Sequence, residues 1–136
     1  MSGQQTERTR ALVEKLYTAY LGGDTEGMIA LMSDDAVVTF NAHGTFRGLT
    51  EIRPYMTWAS RQLPRLTFNV RTKIIEGEYA AVTWDETGVT ARGEPWEAMG
   101  VDIFRVVGDK IVELADYSDT EKILRLLEPY PGRSNS

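Results

Sequence analysis

The chain has 136 residues, 42% of them hydrophobic and 26% charged, with a formal charge of −5, which is enough to bury one real core and too little for two domains. The acidic balance excludes the basic footprint that nucleic acid or an anionic membrane surface needs in a partner. The absence of cysteine excludes disulfides, thiol nucleophiles and thiolate metal sites, and a lone histidine, His43, excludes a multi-histidine metal centre. No apolar run nears the roughly 18 residues of a membrane span, and the polar start Ser2–Arg10 is no signal peptide, so the expectation is a cytoplasmic protein with a small neutral or weakly charged ligand.

Leu12, Val13, Leu16, Tyr17, Tyr20 and Leu21 recur at helical spacing and predict a first helix stopped by Gly22-Gly23. Asp24 N-caps a short second helix carrying Met28, Ile29, Leu31 and Met32, which Ser33-Asp34-Asp35 ends. Ala36–Ala42 reads as the first strand, running into a loop at His43-Gly44. Thr50-Glu51 opens a third helix with Ile52, Tyr55, Met56 and Ala59 inward, ended at Gln62-Leu63-Pro64. Leu66, Phe68 and Val70 then alternate with polar residues as a second strand. Turns at Gly77, Gly93 and Gly108 separate three more, over Glu78–Thr87, Trp96–Val106 and Lys110–Tyr117. Ser118-Asp119-Thr120-Glu121 has the spacing of a capping box ahead of a closing helix with Ile123, Leu124, Leu126 and Leu127. With no repeat or linker, the chain reads as a single domain over residues 1–136, its core about residues 8–127 and residues 128–136 a tail.

The order α-α-β-α-β-β-β-β-α describes an α+β domain, a cone in which one curved antiparallel sheet wraps the early helices, with Gly88 and Gly100 as candidate kinks. Strand alternation puts Trp96, Ala98, Gly100, Asp102 and Phe104 on one face, and Val112, Leu114 and Asp116 on one face of the next strand. Placing Ala81, Thr83 and Asp85 in the same layer brings Asp85, Asp102 and Asp116 into one cavity, where a charge is either paired or chemically employed. Val82, Trp84, Met99, Val101, Ile103 and Tyr117 then form an apolar outer face, which predicts a homodimer through the convex sheet.

That order, with the run Ala11 to Tyr17, Gly23-Asp24, Met28 and the run Leu31 to Val37, resembles the nuclear-transport-factor-2-like superfamily, and within it the branch of SnoaL-like polyketide cyclases, ketosteroid isomerases and limonene epoxide hydrolases. The resemblance implies the cone fold and a cavity, and it is weak for reaction because the fold hosts enzymes, binders and scaffolds. It implies Asp116 as the base of the cyclases and hydrolases, Asp102 as the protonated aspartate of the isomerases, and Asp85 and Asn41 as the hydrolases' proton donor and water-positioning amide. Thr83 and Thr39 stand where those hydrolases carry arginine and tyrosine. Leu16 and Phe40 fall where the isomerases carry their tyrosine and basic aspartate.

The leading expectation is a cofactor-free acid–base enzyme acting beside a carbonyl of a small hydrophobic organic substrate, with Asp116 as base and Asp102 or Asp85 as donor. Hydrolysis of an epoxide by Asp85, Asp116 and Asn41 is a second reading, and a non-catalytic ligand-binding dimer a third. Tyr17, Tyr20, Phe40, Trp58 and Trp96 are expected core or cavity wall. His43 beside glycine is most simply an exposed loop residue, Asn41 a turn former, and Asp85 beside Glu86 a solvated strand-end pair. The sequence carries no phosphate-binding loop, dinucleotide fingerprint or nucleophile elbow that would indicate a cofactor.

Overall fold

The computed structural model describes residues 2–62, 65–127 and 129–131. The expected helix stop at Leu63-Pro64 and the end of the tail lie outside them. The elements are α1 (Ser2–Leu21), α2 (Thr25–Ile29), β1 (Met32–Phe40), β2 (Gly44–Arg47), α3 (Leu49–Gln62), β3 (Arg65–Glu76), β4 (Tyr79–Val89), β5 (Pro95–Val107), β6 (Lys110–Ser118) and α4 (Thr120–Leu126). The fold is the expected α+β cone with one element more. Strand β2, only four residues long, pairs with β1 across the His43 turn and inserts Phe46 into the core.

The six strands run in the order β2-β1-β6-β5-β4-β3. The sheet is not wholly antiparallel as expected, because β1 lies parallel to β6, with Phe40 opposite Asp116. The long excursion through β2, α3 and three further strands frees β6 to return in either direction, so local hairpin logic does not fix this pair. The ladder carries register shifts, the irregularities that bend a sheet, between Met32 and Val37, Val70 and Thr72, and Arg105 and Val106, and none of these falls at Gly88 or Gly100.

Helix α1 lies in the concavity because Leu12, Val13, Leu16 and Tyr17 form one stripe, and all four are buried with Val82, Phe104, Val106 and Leu114 of the sheet. Leu21, expected in that stripe, is exposed at the last turn. Ile52, Tyr55 and Met56 of α3 close the other flank. At the far end, α4 is capped by Asp119, whose side chain accepts from Lys122 N at 3.0 Å; Ser118 still belongs to β6. Ile123, Leu126 and Leu127 pack on Trp84, Trp96 and Ala98.

The phase of β5 and of the later part of β6 is as expected: Trp96, Ala98, Asp102 and Phe104 face inward, as does Leu114, but at the start of β6 the register shift puts Ile111 in the core where Val112 was expected. The phase of β4 is the reverse. Val82 lies opposite Asp102 and Trp84 opposite Gly100, so Val82, Trp84 and Glu86 point into the cone, while Ala81, Thr83 and Asp85 face out. A slip of one residue exchanges the two faces of a strand. Here burial of the Trp84 indole and Val82 side chain outweighs any grouping of aspartates.

Candidate functional site

Between α1, α3, the inner face of the sheet and α4 lies a cavity of about 570 Å³, the size of a small-molecule site. Its walls are mainly Leu16, Tyr17, Tyr20, Phe40, Tyr55, Phe68, Trp84 and Trp96, and its carboxyl groups are Glu86, Asp102 and Asp116. Among the lining residues none is lysine or arginine.

Asp102 and Asp116 are directly opposed on β5 and β6, both on the inner face. Tyr17 Oη donates to Asp102 Oδ2 at 2.7 Å. The other oxygen, Asp102 Oδ1, is buried with no fixed N–H or O–H donor at bonding geometry. The group that can supply its missing proton is the neighbouring Asp116 carboxyl. Burial pushes the Asp102 carboxyl up, while the hydrogen bonds from Asp116 and Tyr17 and the nearby Trp84 favour its anion. Asp116 is pushed well above the usual carboxylate range by burial and by the Asp102 charge. Two carboxyls so placed titrate as one unit, and the Tyr17 hydrogen bond favours the anion on its Asp102 side. The same burial and the Asp102 anion raise the Tyr17 phenol, so it stays a donor.

Glu86 forms a second polar centre. Its Oε2 accepts from Tyr20 Oη at 2.9 Å and its Oε1 from Trp96 Nε1 at 3.3 Å. Only 5% exposed, it is pushed up chiefly by burial and further by the Asp102 charge, against the two hydrogen bonds. Sequence reasoning missed this residue. The signal was the alternation Val82-x-Trp84-x-Glu86, read in the wrong phase.

Asp85 is not in the cavity. It sits on the outer face, held below the usual range by hydrogen bonds from Asn69 and from Arg71, with which it also forms an ion pair. Without it the epoxide-opening arrangement lacks its proton donor. Asn41 reaches the cavity rim, but its amide is engaged: Nδ2 donates to Ser118 O and Thr120 Oγ1, and Oδ1 accepts from Ser118 N. It ties the β1 end to the start of α4 rather than holding a water. Trp58 is not a wall residue either; it packs behind His43 and Tyr55. His43 is more than an exposed loop residue, since it is half-buried, lines the cavity and has Nδ1 2.7 Å from Tyr55 Oη, and burial lowers its pKa. The α1 residue that reaches Asp102 is Tyr17, one position after Leu16.

Gly100 explains how the floor closes. A Cβ there would meet Trp84 Cζ2 at 2.6 Å and the Tyr117 carbonyl oxygen closer still. Its bare backbone lets the Trp84 indole lie across β5, stacked on Phe68 with ring centroids 5.5 Å apart.

The arrangement has known relatives in shape. An NTF2-like protein of unknown function from Burkholderia pseudomallei K96243 superposes with a TM-score of 0.79 at 20% identity, covering 88% of this chain and 97% of that one. A candidate SnoaL-like polyketide cyclase from Jannaschia sp. CCS1 gives 0.77 at 16% identity, over 89% and 92% of the two chains. A protein of ketosteroid isomerase-like fold from Catenulispora acidiphila DSM 44928, solved in complex with trimethylamine, gives 0.74 at 15% identity, over 90% and 96%. At these identities the likeness is one of fold. Among curated proteins no sequence matches significantly. The family profile of the SnoaL-like domain matches residues 13–114, a span from the first buried turn of α1 to the inner face of β6, and on that match the chain belongs to the SnoaL-like domain family.

Proposed function

We propose that the protein is a cofactor-free acid–base enzyme that moves a proton next to a carbonyl of a small, largely apolar molecule held in the cone. The observation that carries this reading is the Asp102–Asp116 pair, buried in an apolar cavity and held on one side by Tyr17. In that environment a carboxylate is a stronger base than in water. With one proton shared between them, the substrate C–H proton passes to the cavity-side oxygen of Asp116 as the shared proton moves fully to Asp102. The C–H electron pair becomes the enolate double bond, and the carbonyl π electrons move to oxygen. Return of the proton to another carbon gives isomerisation. Attack of the enolate carbon on a second carbonyl, whose oxygen takes the proton, gives aldol-type cyclisation. Each such transfer contributes roughly 100-fold to 10,000-fold. The testing experiment is turnover of an enolisable ketone panel, read as solvent deuterium exchange, by the parent and the Asp116→Asn variant.

The reading includes a homodimer through the convex sheet. Ile74, Met99, Ile103 and Tyr117 leave that face apolar, with Ile74 65% and Met99 73% exposed, between the Arg71–Asp85 and Arg105–Glu78 ion pairs. Ile103→Glu, placing a charge in that patch, should convert a dimer to a monomer in light scattering at micromolar concentration with the fold intact. A monodisperse monomer of the unmodified chain would rule the dimer out.

A further inference from the structure

The three cavity carboxyls lack something a buried charge normally has. None is paired with a lysine or arginine among the described residues, and the influences on Glu86, Asp102 and Asp116 are burial, neutral donors and one another. Buried carboxylates are otherwise balanced by a cation or a metal, or they hold a proton. Among the described residues no acidic or histidine side chains converge as metal ligands. Yet Glu86 is shaped as an anion: both its oxygens accept from fixed donors. Rings stand around it. Phe68 lies opposite Glu86 on the neighbouring strand, Tyr20 meets Phe68 edge-on at 5.4 Å, and Trp84 stacks on Phe68. A carboxylate walled by aromatic faces is the chemistry that recognises an organic ammonium. In the same cavity Asp102, only 7% exposed and held by Tyr17, carries a second centre of negative charge, so a positive charge bound there is met from both polar centres.

We propose that Glu86 is the anchor for a cationic nitrogen, and that the substrate is an amphipathic molecule with a protonated or quaternary amine at the Glu86 end and its reacting carbonyl region at the Asp102–Asp116 end. This rests on the reading of the cavity as a substrate site and adds the charge of the substrate to it. The cation supplies the missing counter-charge and displaces a proton from the carboxyls, so binding releases protons and tightens as pH rises through the range where Glu86 titrates. The titratable groups that bear on Glu86 are Tyr20 of α1, which stays a donor, Asp102 of β5 and Asp116 of β6; His43 lines the same cavity. A carboxylate ligand meets three like groups and no cation.

The test uses the unmodified protein and three probes of matched shape: benzyltrimethylammonium, neutral neopentylbenzene and phenylacetate. Calorimetry in two buffers of different ionisation enthalpy reads affinity and proton release together. The expected result is an affinity for the ammonium at least about 10-fold above that of the hydrocarbon, proton release only with the ammonium, and the weakest binding with phenylacetate. Glu86→Gln, nearly isosteric, should erase the preference for the ammonium and leave hydrocarbon binding in place. Equal binding of ammonium and hydrocarbon to the parent would overturn the inference, whether or not the variant folds, and would leave the Asp102–Asp116 chemistry standing. Absence of binding by all three would remove both.

Discussion

Asp116→Asn should lower turnover by at least about 100-fold while changing ligand affinity little. The amide keeps the size of the carboxyl and most of its hydrogen bonds, yet it can neither share a proton with Asp102 nor accept one from carbon. Stability should hold or rise above neutral pH, and the sign follows from the direction of the shift. Burial and the Asp102 charge raise the folded-state pKa of Asp116 above its unfolded value. Its contribution to stability is therefore fully present below the unfolded pKa and lost as pH rises through the folded one. Asparagine does not titrate, so the variant's melting temperature should fall less with rising pH than the parent's. A purely structural Asp116 predicts unchanged turnover and a stability loss of about 1 kcal/mol. One purified variant, assayed and melted beside the parent, separates the two.

Gly100→Val should be the most damaging single change to the cavity that touches no titratable group. The new branches collide with the Tyr117 carbonyl and with Trp84 Cζ2, which would stand only 2.6 Å from the Cβ alone. Backbone cannot yield there without breaking the β5–β6 ladder, so the indole must leave its place over β5. The expected cost is about 1–3 kcal/mol of stability, with loss of ligand binding, since Trp84 carries part of the cavity wall. Thermal melts and ligand-induced tryptophan quenching check both. Stability and binding equal to the parent's would show that the indole has another resting place.

Much of this was legible in the sequence because particular residues fix the phase of their strands. Phe104 and Leu114 leave β5 and β6 one choice of inner face, and Asp102 and Asp116 follow them inward at the next even position. The β4 segment offers no such marker. Ala80-Ala81 gives no contrast, Trp84 packs on either face of a sheet, and adjacent Asp85 and Glu86 supply a carboxyl to both. Only the register against β5 decides that Glu86 is inside. The β1–β6 parallel pairing, the short β2 and the use of Asn41 as a tie between β1 and α4 are likewise set by contacts distant in sequence, which local periodicity does not encode. Tyr17 was visible as a core residue of α1. Its bond to Asp102, 85 positions away, was not.

The proposed chemistry requires Asp102 and Asp116 to share one proton inside the cavity at neutral pH. Carbon-13 NMR of the side-chain carboxyls, in protein labelled at aspartate and followed across pH with Asp102→Asn and Asp116→Asn to assign the resonances, tests this directly. One of the two carboxyls should still be protonated at pH values where Asp85, held below the usual range by Asn69 and Arg71, is fully ionised. Asp102 should ionise before Asp116, and replacing Asp102 should bring the Asp116 transition down, because the charge that opposes its ionisation is gone. Two independent transitions in the ordinary carboxylate range, unaffected by replacement of the partner, would contradict the shared proton.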